Sequence, residues 1–545
     1  MKRKNLAKIS AMFVLLLASC GKWLDVTSKS EVDIDDMFDA AEGYYNSVTG
    51  VYVNMGDANL YGGYVALTAL EPLTGQYTVS ANNETRRKWA AYDYANDDSK
   101  EIIDDLWLTM YNNIFNANLV IDKLRREERD LFEEGVREIM LAEMLAMRAY
   151  MYFDLVRMFN EPYAVNAESN NVPWKTSWDA TIGERYTSER LLAQLMEELA
   201  EAKSLLETRD PIVVPRKSTD PYVSYDRTKR MNYYAVCALR ARIALYTGDY
   251  ATAYDEATTV IASEKFRFIT APEIAETDSY GEELRSNRVF TPELVFALDN
   301  DRITASARTY YEGLSEDTVT SSNCYEAGDL RLNAWLAYNS MNRINLIKYK
   351  RSSLAADSYK YPKACTPMLK LSEMYLIAEE AVMNAPQLDP APLSYINTLK
   401  RHRGIAELGA SISADALRTA LTREYICDFK GEGQLFFYYK RLNMDRVDNG
   451  NYNGNTIAIA PQAYTFPRPD NENDFGNSSV NAMNKRMICF LVASVCLSGA
   501  CRERDIEVYD ANRVSLNIAK GEFRPGTYPE SYEFNAYFLG VGAGD

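Results

Sequence analysis

The sequence predicts a mostly α-helical protein in which helical pairs are separated by long irregular segments. Apolar residues recur at helical spacing over long stretches, the first of them at 101–124. A glycine-containing turn at 248–250 joins two further helical patterns. Two stretches rich in Gly, Asn, Thr and Tyr, roughly 56–100 and 263–365, interrupt the helical pattern. Because loops on a rigid scaffold commonly carry function, we expect these insertions to build a binding surface.

Three long helices are predicted in the first half of the chain. Within 101–124, Trp107 and Tyr111 are four residues apart, so they share a helix face, and we assign both to the core. The segment 134–159 has few polar positions, which indicates burial on most sides. The segment 188–207 is amphipathic and begins at a capping threonine or serine.

A helical hairpin follows. The segments 232–246 and 251–261 have helical patterns, and the turn between them, Gly248-Asp249-Tyr250 followed by Ala253, resembles that of a tetratricopeptide repeat. An unrelated hairpin with a glycine turn is the alternative. Further helices are predicted at 368–383, 393–399 and 414–429.

The N-terminal segment has the features of a bacterial lipoprotein signal. Lysines and an arginine precede the apolar run at 11–18, and the run ends in the tetrapeptide LASC at 17–20. This pattern predicts removal of residues 1–19 and lipid attachment at Cys20. A membrane-spanning helix is the alternative, but the run is far below the roughly 20 apolar residues that a span needs.

Composition excludes one class of partner. The chain has 545 residues, 77 acidic and 60 basic, with a formal net charge of -17. Nucleic-acid binding depends on clustered Lys and Arg, so no nucleic-acid partner is expected. The hydrophobic fraction of 47% and the charged fraction of 25% are those of an ordinary globular protein.

Histidine and cysteine usage argues against metal or cofactor chemistry. The single histidine, His402, lies in the string KRHRG, which is typical of a solvated helix end, so histidine-based metal clusters are excluded. The central cysteines Cys237, Cys324, Cys365 and Cys427 are too widely spaced for a CxxC zinc site. We expect Cys237 and Cys427 to be small buried hydrophobes. A paired-carboxylate hydrolase remains the enzymatic alternative, although no nucleophile or metalloprotease motif occurs.

A series of motifs occurs in order along the chain. They are the lipobox with LDV at 24–26; WLTMYNNIFNANLVID at 107–122; AEMLAMRAYMYFDLVRMF at 142–159 with VP at 172–173; the hairpin with GDY at 248–250; PMLKLSEMYLIAEEA at 367–381; INTLKRHRGI at 396–405; and REYICDFKGEGQLFFYYKRLN at 423–443. From Cys20 to about Asn477 the chain thereby resembles the SusD/RagB-like outer-membrane nutrient-binding lipoproteins. Asn160 stands where that family commonly has Gly. Gln434 with Tyr438 and Tyr439 replaces a basic residue and Asp-Leu, which indicates a subgroup.

The resemblance implies both architecture and role. It implies about four tetratricopeptide-like helix pairs with insertions that form the ligand face. It further implies a non-enzymatic lipoprotein, held at the outer membrane by its lipid alone and exposed at the cell surface. Such a protein captures oligosaccharides and delivers them, as a hinged lid, to a TonB-dependent barrel transporter of the SusC-like kind. The same role for peptides or glycopeptides, a surface hydrolase and a purely structural lipoprotein are the alternatives.

Candidate ligand contacts are the aromatic and polar residues of the two insertions. Tyr outnumbers Phe by 39 to 19, an excess typical of aromatic rings whose hydroxyl group contacts water. A sugar ring offers a C–H face for stacking and hydroxyls for polar side chains. The candidates are Gln76, Tyr77, Asn82, Arg86, Trp89 and Tyr92 in the first insertion, and Tyr310, Tyr311, Tyr325, Asp329 and Trp335 in the second. Trp89 and Tyr92 are preferred because the resembled family places ligand contacts in this region. Core packing is the alternative for each aromatic residue.

A second lipoprotein start appears near the C-terminus. The string MNKRMICFLVASVCLSGAC at 483–501 has basic residues, an apolar run and a terminal cysteine. We interpret 483–501 as a second signal-like segment and 502–545 as the truncated tail of a separate lipoprotein fused to the binding domain at 20–482. An ordinary buried strand or helix at 487–500 is the alternative.

Overall fold

The computed structural model describes residues 34–472 except 180, 278–282, 313–316, 351–363, 390, 392 and 471. The predicted leader, the lipid site at Cys20 and the predicted fused segment at 483–545 lie outside the described residues.

Helices dominate this part of the chain, as predicted. The α-helices are α1 Ile34–Met37, α2 Ala41–Met55, α3 Glu84–Ala90, α4 Asp97–Arg126, α5 Val136–Phe159, α6 Ser188–Glu207, α7 Pro221–Ser224, α8 Tyr233–Thr247, α9 Tyr250–Ala262, α10 Ala271–Ile274, α11 Arg302–Tyr311, α12 Leu330–Trp335, α13 Leu371–Asn384, α14 Ser394–His402, α15 Ala414–Asp428 and α16 Gln434–Arg441. A π-helical turn spans Tyr64–Thr68, and 3-10 turns span Glu71–Thr74, Arg227–Lys229, Thr291–Glu293 and Pro461–Tyr464. None of the helices in the described part has both the length and the hydropathy that crossing a bilayer requires.

The strands are short and paired antiparallel. They are β1 Tyr77–Thr78, β2 Pro173–Trp174, β3 Glu184–Arg185, β4 Ala275–Thr277, β5 Glu283–Ser286, β6 Leu294–Asp299, β7 Thr318–Val319, β8 Leu336–Tyr338, β9 Ile344–Leu346, β10 Cys365–Lys370, β11 Arg446–Asp448 and β12 Thr456–Ala458. The largest sheet has the order β1-β7-β9-β8, so it joins the two insertions. The other strands form the pairs β10-β6, β11-β12, β2-β3 and β4-β5.

The long helices pack against one another in series and form the scaffold. Helix α4 packs on α5, α5 on α6, α6 on α8, α8 on α9, and α9 on α13, which also contacts α14 and α15. Helix α5 is buried on nearly all sides, as its lack of a polar face predicted. Its alanines Ala142, Ala146 and Ala149 are fully buried and let neighbouring helices approach closely. Trp107 and Tyr111 pack in this scaffold with ring centroids 4.9 Å apart.

The predicted helical hairpin at 233–262 is confirmed. Helix α8 ends at Gly248, whose φ of 81° is the left-handed conformation that glycine adopts readily. The side chain of Asp249 then accepts a hydrogen bond from Thr252 N at 3.1 Å and caps α9.

One predicted helix begins later than its pattern indicated. The segment 368–370 belongs to β10, and α13 starts only at Leu371. Strand β10 pairs antiparallel with β6, with Cys365 opposite Asp299 and Lys370 opposite Leu294. Pairing with a strand about seventy residues away in sequence overrides the local helical pattern here.

A buried network of charges joins the second insertion to the scaffold. The carboxylate of Asp428 accepts hydrogen bonds from Lys370 Nζ at 3.1 Å and from Arg403 Nη2 at 2.9 Å. Its Oδ1 also lies 3.3 Å from Nη1 of Arg331 in the insertion. Arg403 in turn pairs with Glu293 in that insertion, with Nη2 to Oε2 at 2.7 Å. Burial opposes ionisation, but the three cations hold the pKa of Asp428 well below its ordinary value.

Candidate ligand-binding face

The structure places Trp89 in the core. Its side chain is 1% exposed, and Nε1 donates a hydrogen bond to Ala69 O at 2.6 Å. The ring packs on Tyr94 and Phe466 with centroids 5.3 and 5.4 Å away. It lies on helix α3, a short helix that the sequence pattern did not predict. A ligand reaches this ring only if the surrounding residues move.

Arg86 connects the two insertions. Its Nε donates to Asp317 Oδ2 at 2.6 Å and its Nη1 donates to Thr68 O at 2.9 Å. The guanidinium carbon lies 4.6 Å from the centroid of the half-buried Tyr310 ring. The buried guanidinium therefore serves to join segments that are far apart in sequence.

The other candidates of the first insertion differ in exposure. Gln76 is buried, and its Nε2 donates to Asp448 O at 3.4 Å. Tyr77 is also buried and donates its hydroxyl hydrogen to Glu71. Tyr92 is half-buried, with its hydroxyl donating to Leu73 O at 2.8 Å, whereas Asn82 is exposed.

Of the five candidates of the second insertion, Tyr310 is half-buried and the other four are buried. Tyr311, Tyr325, Asp329 and Trp335 are 0%, 7%, 4% and 1% exposed. Trp335 Nε1 donates to Arg288 O at 2.7 Å, and Asp329 accepts from the backbone N–H of Arg331 at 2.9 Å as the cap of α12. These side chains position the insertion, because their polar atoms bond to protein.

An exposed polar surface lies where the two insertions meet. Strand β1 pairs with β7, with Thr78 opposite Thr318, and Thr320 N donates to Gln76 O at 3.1 Å just beyond the pair. The Oγ1 atoms of Thr78 and Thr320 are 3.2 Å apart. This junction brings hydroxyl groups of both insertions together at the surface.

A third segment, the hairpin of β11 and β12, completes this surface. Asn323 Nδ2 in the second insertion donates to Asn451 O at 3.0 Å. Gly450 approaches the first insertion so closely that an added Cβ would lie 2.7 Å from Gly75 O. Sequence reasoning did not predict this segment as part of the site. Its string DNGNYNGNT at 448–456 is nevertheless a strong turn signal.

Tyr452 supplies an aromatic ring at the tip of the hairpin. It is half-buried, has a φ of 49°, and lies beneath Arg423 with the guanidinium 4.8 Å from the ring centroid. The carboxylate of Asp448 accepts from Tyr452 N at 3.0 Å and holds this bend. Burial raises the pKa of Tyr452 to about 12, so the phenol is neutral at physiological pH.

We call this surface the polar face and define it by residues 78, 320, 323, 449, 451–453 and 455. Apart from the Tyr452 ring and its hydroxyl, its side chains are the hydroxyls of two threonines and the amides of five asparagines. These groups both donate and accept hydrogen bonds and carry no charge. The arrangement suits an uncharged ligand with many hydroxyl groups.

A pocket within the scaffold is a weaker candidate. It lies between α5, α8, α13, α15 and α16, and its empty space, including the open mouth, is about 390 Å³. Its charged groups are already paired, as Arg242 Nη2 donates to Glu373 Oε2 at 2.6 Å and Arg441 Nη2 donates to Glu380 Oε2 at 2.7 Å. Few of its charged groups are therefore available to bind a ligand.

The single histidine and two of the cysteines lie in the settings that the sequence predicted. His402 is exposed at the end of α14, as predicted, and stacks on Phe268 with ring centroids 4.4 Å apart. Within the part of the chain that the structure describes, no group of His, Cys, Asp and Glu could hold a metal ion. Cys237 and Cys427 are buried, as predicted.

Residues 22–245 match the protein family SusD-like_3, described as "Starch-binding associating with outer membrane". No curated protein matches the chain.

Solved structures share its fold. A putative sugar-binding protein from Bacteroides vulgatus is 18% identical, with a TM-score of 0.62 over 80% of this chain and 96% of that one. A SusD superfamily protein from Bacteroides thetaiotaomicron is 20% identical, with a TM-score of 0.61 over 82% and 98%. A SusD-like carbohydrate-binding protein from Bacteroides vulgatus is 15% identical, with a TM-score of 0.60 over 80% and 96%. These structures confirm the fold, and the family match of residues 22–245 confirms the resemblance to SusD-like proteins.

Proposed function

We propose that this SusD-like chain is an outer-membrane binding protein that captures uncharged oligosaccharides on its polar face. The observation that carries the proposal is the convergence of three distant segments on one surface of amides, hydroxyls and an aromatic ring. The family description couples starch binding to the outer membrane, and two of the similar structures are described as sugar- or carbohydrate-binding.

The chemistry of the polar face favours a neutral sugar. Each sugar hydroxyl donates and accepts, which matches the amides of Asn323 and Asn453 and the hydroxyl of Thr78. The Tyr452 ring offers a surface for the C–H face of a sugar. The two neighbouring arginines contact neutral groups, since Arg423 lies over Tyr452 and Arg446 Nε donates to Thr456 Oγ1 at 2.7 Å.

The role that follows is capture rather than catalysis. We propose that the lipid on Cys20 anchors the chain at the cell surface and that the chain delivers its ligand to a SusC-like TonB-dependent barrel as a lid. The LASC leader and the family's association with the outer membrane support this arrangement.

Calorimetric titration of the purified chain tests the ligand class. The panel contains neutral oligosaccharides, uronic-acid oligosaccharides and peptide pools. We expect a neutral oligosaccharide to bind and Tyr452→Ala to weaken binding about tenfold, which corresponds to about 1.4 kcal/mol. Tyr254→Ala is the matched control, because Tyr254 is a half-buried tyrosine of α9 in the scaffold and bonds to Tyr395 at 2.8 Å between hydroxyl oxygens.

The other outcomes separate the alternatives. Binding of peptides alone would replace the sugar assignment but keep the capture role. Release of new reducing ends from a bound glycan would show an enzyme. Equal weakening by Tyr452→Ala and Tyr254→Ala would place the ligand elsewhere than on the polar face.

A further inference from the structure

Two cysteines from different regions of the molecule lie against each other. Cys324 belongs to the second insertion and Cys427 to helix α15 of the scaffold. The Cys427 thiol donates to the carbonyl oxygen of Cys324 at 3.3 Å. Both side chains are buried, at 4% and 1% exposure. Their separation of about a hundred residues in sequence gave no indication of this contact.

The surrounding contacts hold both residues in place. Arg423 Nε donates to Cys324 O at 2.6 Å, and the Tyr325 hydroxyl donates to Cys427 O at 3.1 Å. The segment 324–325 is therefore held against the last turns of α15 by hydrogen bonds that each side donates to the other. Both thiols are free in this structure, and these contacts hold the two cysteines side by side.

The two thiols also differ in reactivity. The contact with Cys427 and the charges of Lys430 and Arg331 lower the pKa of the Cys324 thiol below its ordinary value. Burial raises the pKa of Cys427 well above its ordinary value. In the folded protein, Cys324 is thus the thiol that ionises more readily.

We propose that Cys324 and Cys427 form a disulfide in the exported protein and so tie the insertion that carries the polar face to the scaffold. This inference rests on the proposed outer-membrane location, because compartments outside the cytoplasm sustain disulfides. The oxidant is a disulfide-bearing thiol oxidoreductase or a small-molecule disulfide.

The reaction is thiol–disulfide exchange. The thiolate of one cysteine attacks one sulfur of the oxidant's disulfide, which forms a mixed disulfide and releases one oxidant thiolate. The thiolate of the other cysteine then attacks the sulfur of the first and releases the second oxidant thiolate. One Sγ–Sγ bond forms, both cysteines lose their protons, and the oxidant is reduced to two thiols. Because both residues are buried in the folded protein, the exchange takes place before folding is complete.

The bridge closes a loop of about a hundred residues that spans the end of the second insertion, β10, α13 and α14. A cross-link over such a loop restricts the unfolded chain strongly, and we expect it to raise the midpoint of thermal unfolding by about 5 °C.

Peptide mapping of the whole protein tests the bridge directly. The full chain is extracted from its host membranes, alkylated while denatured, and digested without reductant for mass spectrometry. A second sample is reduced, unfolded and refolded with oxidised glutathione. We expect a linked peptide containing Cys324 and Cys427 in both samples.

Thermal unfolding provides the second readout. Reductant should lower the midpoint of the wild type by about 5 °C. It should have no effect on the midpoint of Cys324→Ala or Cys427→Ala. Cys237→Ala and Cys365→Ala are matched controls, because both cysteines are buried and interact with Glu256 and Lys229 rather than with a thiol. These two variants should keep the response of the wild type to reductant.

The outcomes separate the bridge from the proposed location. A linked peptide in both samples supports the disulfide and the proposed oxidising location. A link found only after refolding supports the pairing and overturns the oxidising location. Free thiols at both positions in the correctly refolded protein overturn the bridge, and this result needs no variant that folds.

Discussion

The helical scaffold and the insertion region share one apolar core but differ in the length of their elements and in how they attach to it. In the scaffold, α5 buries 21 of its 24 residues against neighbouring helices. The insertions have strands of 2 to 6 residues and attach through buried polar contacts, such as Arg86 with Asp317 and Lys348 with Glu432. Apolar packing tolerates small shifts, whereas charged contacts are directional. The insertions also contribute to the apolar core of the scaffold, so the ion pairs add directional contacts that fix the position of the polar face.

Asp428→Ala should break the connection between the two regions most severely. The change removes the shared partner of three buried cations, which lose a counter-charge, so we expect a loss of about 3–5 kcal/mol in the free energy of unfolding. Urea unfolding followed by circular dichroism measures this loss.

Asp415→Ala on the same helix is the matched control. Its carboxylate is 96% exposed and lies 3.3 Å from Arg418, so its loss should cost less than about 1 kcal/mol. Equal losses in the two variants would contradict the importance of the buried network.

Trp89→Phe distinguishes a core role of Trp89 in the first insertion from a role in ligand contact. The change removes the Nε1 donor to Ala69 O and part of a buried ring, so we expect a loss of about 2 kcal/mol in stability. Oligosaccharide affinity should stay within about twofold, because core residues act through the fold. Denaturation and titration calorimetry on the same preparation measure both quantities.

Trp178→Phe serves as the control for the loss of an indole donor. Trp178 is half-buried and donates to Asp122 Oδ2 at 3.1 Å, so a smaller loss is expected. A large drop in affinity with unchanged stability in Trp89→Phe would instead make Trp89 a ligand contact.

Lys348→Met should change the free energy of unfolding least, and this change should depend on pH. Burial lowers the pKa of Lys348 to about 8 in the folded protein, whereas the unfolded chain keeps the ordinary lysine value of 10.5. Below pH 8 both states hold the proton, and the folded state bears the full penalty of the buried charge. Between pH 8 and 10.5 the unfolded chain binds more protons, so the stability contributed by this group rises with pH.

The difference in stability between the wild type and Lys348→Met should therefore shift in favour of the wild type by about 1 kcal/mol from about pH 7 to about pH 9. Lys88→Met, which alters an exposed pair with Glu84, should show no such shift. A flat difference for Lys348→Met would show that the buried lysine keeps its ordinary pKa.

The scaffold could be predicted from the sequence because its pattern is local. The segment 188–207 was predicted with the bounds that the structure has, since its apolar residues recur on one face and a threonine caps its start. The strand conformation of 368–370 was not predicted, because it depends on pairing with the distant strand β6. Periodicity carries no information about such partners.

The candidate site was predicted only in outline. The two insertions do meet at the polar face, but their large aromatics, Trp89 and Trp335 among them, are core residues. A tryptophan in a polar stretch has the same sequence signature whether it packs inward or faces solvent. The hairpin at 446–458 was missed because its Asn and Gly residues indicate a turn and not a ligand contact.

The hairpin of β11 and β12 is also a module that can be exchanged. Its first and last residues, Arg446 and Ala458, are opposite each other in the antiparallel pair, so the chain enters and leaves at one place. A replacement of different length or composition can be joined at these two positions without moving either end. A library confined to this loop would therefore vary one of the three segments of the polar face, together with its contacts to Gly75 and Asn323, and leave the points of entry and exit in place.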